Sequence, residues 1–186
     1  MSTTVRFTIA EYDRMIEDGI FNDRPEQRME LIHGEIREMP PPNPDHEDTV
    51  DLLMYWSIDH TRRDQVRVRI QNSIGIPELD CVPQPDVAWM RAKSYRKKRP
   101  LASDVLLLIE VSDTSLTYDR GEKAELFATA GIADYWIVNL RDECIEVHRR
   151  PKGGKYREVK RYGIGQSIRP LAFPSVTLDV ATAFGK

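Results

Sequence analysis

The chain has 186 residues, 40% apolar and 31% charged, with a formal net charge of −3. This is the composition of a folded, water-soluble chain large enough for a real core, and with no run of about 18 apolar residues it offers no membrane span. Two cysteines, Cys81 and Cys144, are too few for a disulfide framework and point to a reducing, cytoplasmic setting. The opening stretch, MSTTVRFTIAEYDRM, lacks the basic-then-apolar order of a secretory signal. Charge is unevenly spread. Residues 1–60 hold 14 acids and 5 bases, a balance of −9 that leaves +6 for the other 126.

The first predicted element is a short helix over Thr8–Asp18, with Thr8 as cap and Glu11 three residues on. Met29–Met39 (MELIHGEIREM) reads as a hairpin turning at His33-Gly34, with Glu30 and Glu35 on its strands. PPPNPD then gives a stiff, extended connector. A helix follows over about Asp45–Arg62, with Val50, Leu53, Met54 and Ser57 on one stripe. His46 lies in its first turn, where it could face a cleft or water. Val66–Ile70 (VRVRI) alternates apolar and basic residues, as a half-exposed strand does, and Ile74–Ile76 is expected to continue it past a bend. After Pro83 and Pro85, Asp86 starts a short strand, Val87–Met90. An aspartate there is often only a turn former.

The apolar run Val105–Ile109, followed by Glu110 and Val111, reads as a strand buried on both faces. A carboxylate at the end of such a strand is costly unless a charge compensates it. A polar loop leads into a helix over about Arg120–Ala130, with Asp119 as its cap. Lys123, Leu126, Phe127 and Ala130 share one face, so the lysine joins an otherwise apolar stripe at the end nearest Glu110. The same spacing would serve a purely structural Lys–Glu ion pair. Gly131 closes the helix, and Tyr135–Val138 begins the next strand. Cys144–Arg149 and Tyr156–Tyr162 form a second hairpin, and the tail gives a short strand and a last helical turn. Two basic clusters, Arg91–Arg99 and His148–Arg161, would suit a phosphate backbone or simply be solvated.

Familiar catalytic signatures are missing. His46-Glu47 is followed at position 50 by Val, not the His of a zinc protease. The cysteines lack Cys-x-x-Cys spacing, no Gly-x-Ser-x-Gly elbow exists, and Gly163-Ile164-Gly165 is no phosphate loop. Carboxylates and a lysine remain as candidate chemical groups.

Pro85-Asp86, Glu110-Val111-Ser112, Asp119, Lys123 and AGIADYWIVN, in this order and spacing, resemble the Uma family of restriction endonuclease-like proteins, within the PD-(D/E)XK nuclease superfamily. The likeness extends to the MELIHGEI hairpin, the helix opened by His46, and the final hairpin and tail. It implies a mixed α/β fold: one restriction endonuclease-like domain over residues 1–186, a mixed central sheet flanked by helices, and added β-hairpins. The general superfamily signature places a lysine two residues after the acid. Ser112 stands there instead, and the resemblance implies that the following helix supplies the amine as Lys123.

The implied activity is metal-dependent hydrolysis of DNA phosphodiester bonds. Asp86, Glu110 and the backbone carbonyl of Val111 would hold Mg²⁺, with Mn²⁺ as a possible substitute, and Lys123 would assist at the phosphate. Glu30, His46 and Ser112 are accessory candidates, each with a structural alternative. Arg96, Lys97, Lys98 and Arg99 are candidate nucleic-acid contacts. A homodimer is implied, since two strands need two sites, and the C-terminal hairpin is the candidate interface. The competing reading is a nuclease-fold binding or assembly protein without cleavage; a third is a phosphodiesterase acting on small substrates.

Overall fold

A computed structural model of the chain describes residues 3–23 and 27–186. Helix α1, Ile9–Glu17, opens with the expected capping box: the Thr8 side chain accepts from the Glu11 N–H, and the Glu11 carboxylate accepts from the Thr8 N–H. Strands β1, Arg28–Ile32, and β2, Glu35–Met39, form the predicted hairpin. His33 and Gly34 both take positive φ, 51° and 76°, as a two-residue turn requires. A Cβ on Gly34 would also come within 3.0 Å of the Phe7 carbonyl oxygen, so position and space both select glycine.

Helix α2, Pro44–His60, is capped by the Asn43 side chain, which accepts from the His46 N–H at 2.9 Å. Pro44 at its start is pre-set for the first turn. Strands β3 (Val66–Ile70), β4 (Val87–Arg91), β5 (Val105–Ser112), β6 (Asp134–Asn139), β7 (Cys144–Lys152) and β8 (Lys155–Gly163) form one six-stranded sheet in sequence order. The fold is therefore mixed α/β, with a mixed central sheet. β5 and β6 run parallel, and every other neighbouring pair is antiparallel. The parallel pair needs a crossover, which helix α3 supplies over residues 116–129. Two short strands, β9 (Ser167–Ile168) and β10 (Leu178–Asp179), pair with each other before a final 3₁₀ turn, Val180–Phe184.

Three expectations change. Ile74–Ile76 does not extend β3. Gln71 adopts φ 50°, which turns the chain out of the ladder, and residues 74–76 make isolated bridges with Leu101 and Cys81. Asp119 does not cap α3. Its helical run already begins at Leu116, and residues Asp119–Lys123 form a π turn inside it. The Asp119 carboxylate is instead occupied by the Ser112 and Ser115 hydroxyls, each donating at 2.6 Å. The second hairpin does not stand clear of the core but extends the central sheet: Cys144–His148 is buried, and of its two strands only β8 lies at a sheet edge.

Side chains alternate across the sheet. One face carries Trp89, Leu107, Ile109, Trp136 and Ile145 against α2 and the tail. The other carries Ala88, Met90, Leu108, Tyr135 and Ile137 against α3 and residues 74–81. Glu110 pairs in register with Ile137 and so projects from this second face.

Candidate active site

β5 brings Glu110 to the carboxyl end of the sheet's central strand. The Pro83–Pro85 segment delivers Asp86 to the start of the adjacent antiparallel strand. The two acids, 24 residues apart in sequence, meet where β4 and β5 pair: the Asp86 N–H donates to Glu110 Oε2 at 3.3 Å. Asp86 Oδ2 accepts from the Val111 N–H at 2.9 Å. Helix α3 then lays Lys123 over them, with Nζ donating to Glu110 Oε1 at 2.9 Å. Asp86, Glu110 and Lys123 are all buried, at 4%, 2% and 2% exposure. They sit at the base of a cavity of about 660 Å³.

The accessory candidates separate. Glu30 projects from β1 into the same cavity, 3.7 Å from Lys123 Nζ, and its Oε1 accepts from the Gln84 N–H at 2.5 Å. His46 faces the cleft, with Nε2 3.1 Å from Asp86 Oδ2. Ser112 occupies the position where the superfamily signature has its lysine, but its hydroxyl is given to Asp119. Val111 lines the cavity and commits its N–H to Asp86. Arg96, Lys97 and Lys98 are exposed on a loop leaving the far end of β4, and they do not line this cavity. Arg99 is held in a two-pronged pair by Asp13.

Asp119, expected as a cap and named among the residues of the family resemblance, joins the cluster: it lies four residues before Lys123 on one helical face, with their charged groups 3.8 Å apart. Arg28 approaches Asp86 at 3.9 Å, and Tyr118 lies beneath the Lys123 ammonium, 5.6 Å from its ring centre. Neither carried a sequence signal, because a lone arginine on a strand and a lone tyrosine in a loop fit many surroundings.

Four buried carboxylates, Glu30, Asp86, Glu110 and Asp119, thus surround one buried ammonium. Burial raises Glu110 well above the usual carboxylate range; Lys123 pulls the other way, but Asp86, Asp119 and Glu30 add to the rise. Burial opposes the Lys123 charge, yet Glu110, Glu30 and Asp119 outweigh it and hold the amine protonated well beyond its ordinary range. Burial also works against the Asp86 charge. The hydrogen bond and charge of His46, then the Val111 N–H, reverse that and keep its pKa low.

The donor set suits a hard divalent cation. It is all oxygen, strongly anionic, and short of positive charge. Among the described residues no three acid, imidazole or thiol groups converge tightly enough to enclose a metal alone. Arg28 Nε and His46 Nδ1, buried atoms of residues that line the cavity, have no partner among the described residues.

A family model, Uma2, described as "Putative restriction endonuclease", matches residues 9–181. Among curated proteins, none matches the chain. Among solved structures, it is similar to a crystal structure described as "a putative nuclease belonging to DUF820" from Anabaena variabilis. The two share 16% identity and a TM-score of 0.70, over 96% of this chain and 98% of that one. At that identity the likeness speaks for the fold.

Proposed function

The chain belongs to the Uma2 family, described as "Putative restriction endonuclease", and on that basis we propose that it is a divalent-metal-dependent nuclease hydrolysing DNA phosphodiester bonds in the Asp86–Glu110–Lys123 pocket. One observation supports this reading above the rest. Two acids and an amine from three separate elements converge within hydrogen-bond reach at the base of an open cavity.

In this reading Asp86 and Glu110, with the Val111 carbonyl as a third oxygen, hold Mg²⁺, for which Mn²⁺ can substitute. The bound ion supplies positive charge against the phosphate and makes a nearby water more acidic. His46 and the Val111 N–H fix the Asp86 carboxylate in one orientation, so its oxygens are pre-set. Lys123 places a permanent ammonium where negative charge grows on the phosphate, in a site dry enough for that charge to act strongly. Glu30 and Asp119 hold the ammonium from its other sides. Arg28 and His46 line the same cavity, and we assign them to contacts with phosphate oxygens.

Cutting both strands of a duplex takes two such pockets, so the working form is a homodimer of one-domain chains. No helix among the described residues is long and apolar enough to cross a membrane, and both cysteines are free thiols, which suits a cytoplasmic protein. The test is plasmid nicking with Mg²⁺ or Mn²⁺, alongside calorimetric metal binding. Wild type is expected to bind the ion and nick, and Glu110→Ala to do neither. Identical behaviour of the two proteins across metals and DNA forms would leave a nuclease-fold binding or assembly protein.

A further inference from the structure

A second cavity, of about 1100 Å³, lies between α1 and the loop that joins β4 to β5. It shares no lining residue with the first. Its walls are basic: Arg69 from β3, then Lys93, Arg96, Lys97, Lys98 and Arg99 from the loop. Three acids also line it. Asp13 is taken by Arg99 and Asp104 by Lys93, at 2.7 and 2.6 Å, which leaves Glu17 as the only lining acid without a cation within 4 Å among the described residues. Arg69, Arg96, Lys97 and Lys98 thus have no carboxylate within 4 Å among the described residues.

Arg69 is the informative member. Its guanidinium stacks 5.8 Å from the Tyr95 ring centre, and its Nε is buried without a partner. Arg67, two residues along on the same side of β3, adds a second positive charge and depends on the Lys93 carbonyl. Burial, reinforced by Arg67, lowers the Arg69 pKa. Two like charges held together on one strand edge, one of them half-buried, are unfavourable unless an anion joins them.

The groove is also aligned with the catalytic pocket. Arg69 pairs in register with Ala88, on the sheet face that carries Glu110. Two residues further along, Gln71 bonds Asp86 through both its backbone N–H, at 2.9 Å, and its side chain, at 3.3 Å.

We propose that this groove binds the sugar–phosphate backbone flanking the scissile bond, with Arg69 and the Arg96–Lys98 run contacting phosphates and Tyr95 backing Arg69. The proposal rests on the nuclease reading for the identity of the polyanion, but its test is independent of cleavage. A fluorescent DNA duplex is titrated in EDTA over a range of salt concentrations. The variants are Arg69→Gln/Lys97→Gln/Lys98→Gln and, should burial of Arg69 compromise folding, the fully exposed set Arg96→Gln/Lys97→Gln/Lys98→Gln. Lys152→Gln/Lys155→Gln, at the tip of the β7–β8 hairpin, is the control.

Each groove variant is expected to bind more weakly and to flatten the log–log salt dependence by about one unit per lost phosphate contact, so by about three. The control is expected to leave affinity and slope unchanged. The proposal is overturned by a groove variant with the wild-type slope, by an equal loss in the control, or by a wild type that does not bind the duplex. A protein that binds through the groove yet fails to cleave with either Mg²⁺ or Mn²⁺ keeps the groove and loses the nuclease reading. One that cleaves while its groove variants bind normally does the reverse.

Discussion

On the α2 side of the sheet, Trp56 stacks on Trp89 with ring centres 5.0 Å apart and lies 6.1 Å from Trp136. Each indole N–H has an acceptor: Trp56 Nε1 donates to the Thr177 carbonyl at 3.0 Å, Trp89 Nε1 to the Ser57 hydroxyl at 2.8 Å and Trp136 Nε1 to Asp134 Oδ1 at 2.8 Å, and the Ser57 hydroxyl donates to the Leu53 carbonyl. On the α3 side, opposite the same strands, four carboxylates and a lysine are buried together. The first arrangement removes apolar area from water, which stabilises in proportion to that area. The second places charges where water would serve them better, which stabilises weakly or not at all. Alternation along β4 and β5 lets one sheet do both: a dry, tightly packed face holds the strands in register, and the strand ends on the opposite face are free to carry a strained cluster of charges.

Substitution on the two faces should separate these roles. The largest effect is expected from Trp89→Ala, which opens a cavity in the aromatic face and breaks the stack; it should lower unfolding free energy by about 3–5 kcal/mol, read by denaturant melts. Lys123→Met lies on the charged face and should behave differently. Cleavage is expected to fall by about 10²–10³-fold, as when a charge-stabilising donor is removed, and near neutral pH stability falls by about 3–5 kcal/mol because the buried carboxylates lose their shared ammonium; that loss shrinks as pH falls and the carboxylates take up protons, whereas the Trp89→Ala loss does not. A Lys123→Met loss that is the same at every pH would erase the contrast.

A third test sharpens the comparison within the charged face. Glu146 projects from β7 and accepts a two-pronged pair from Arg120 of α3. Burial alone would raise its pKa, but the His148 imidazole, 3.8 Å away, and the Arg120 guanidinium outweigh burial and hold it down at about 2. A depressed carboxylate contributes stability fully above its unfolded pKa, near 4.5, and loses it as pH falls toward 2. The wild type is therefore expected to lose up to about 3 kcal/mol over that window. Glu146→Gln should lack this part of the acid-induced loss and be less stable at pH 7, both measured by pH-resolved melts. The smallest effect is expected from Ser115→Ala, which removes one of two hydroxyls from Asp119. About 1–2 kcal/mol is expected, and nicking with Mg²⁺ would report whether Lys123 has shifted with the π turn.

Local features were the legible ones. The Thr8–Glu11 box, the His33-Gly34 turn and Gly131 after α3 follow from interactions within a few residues, and all are where the residue types place them. The Lys123 stripe was readable because 3.6-residue periodicity projects a residue's direction from sequence alone. Asp119 misled because a short acid before a helix fits a cap as well as a buried acceptor. Only the positions of Ser112 and Ser115 around its carboxylate distinguish the two.

The sequence by itself determined the first hairpin, the Thr8 cap, the Gly131 stop and the inward face of α3, since each depends on neighbours along the chain. Tertiary structure alone decided that His46 reaches Asp86 across 40 residues, that Glu30 joins from β1, and that Arg69 aligns with the pocket from the sheet edge. The reason is that sequence patterns give directions relative to an element's own axis. Distances between elements arise only when long loops close and the sheet fixes its register, and the chemistry of this pocket depends on those distances.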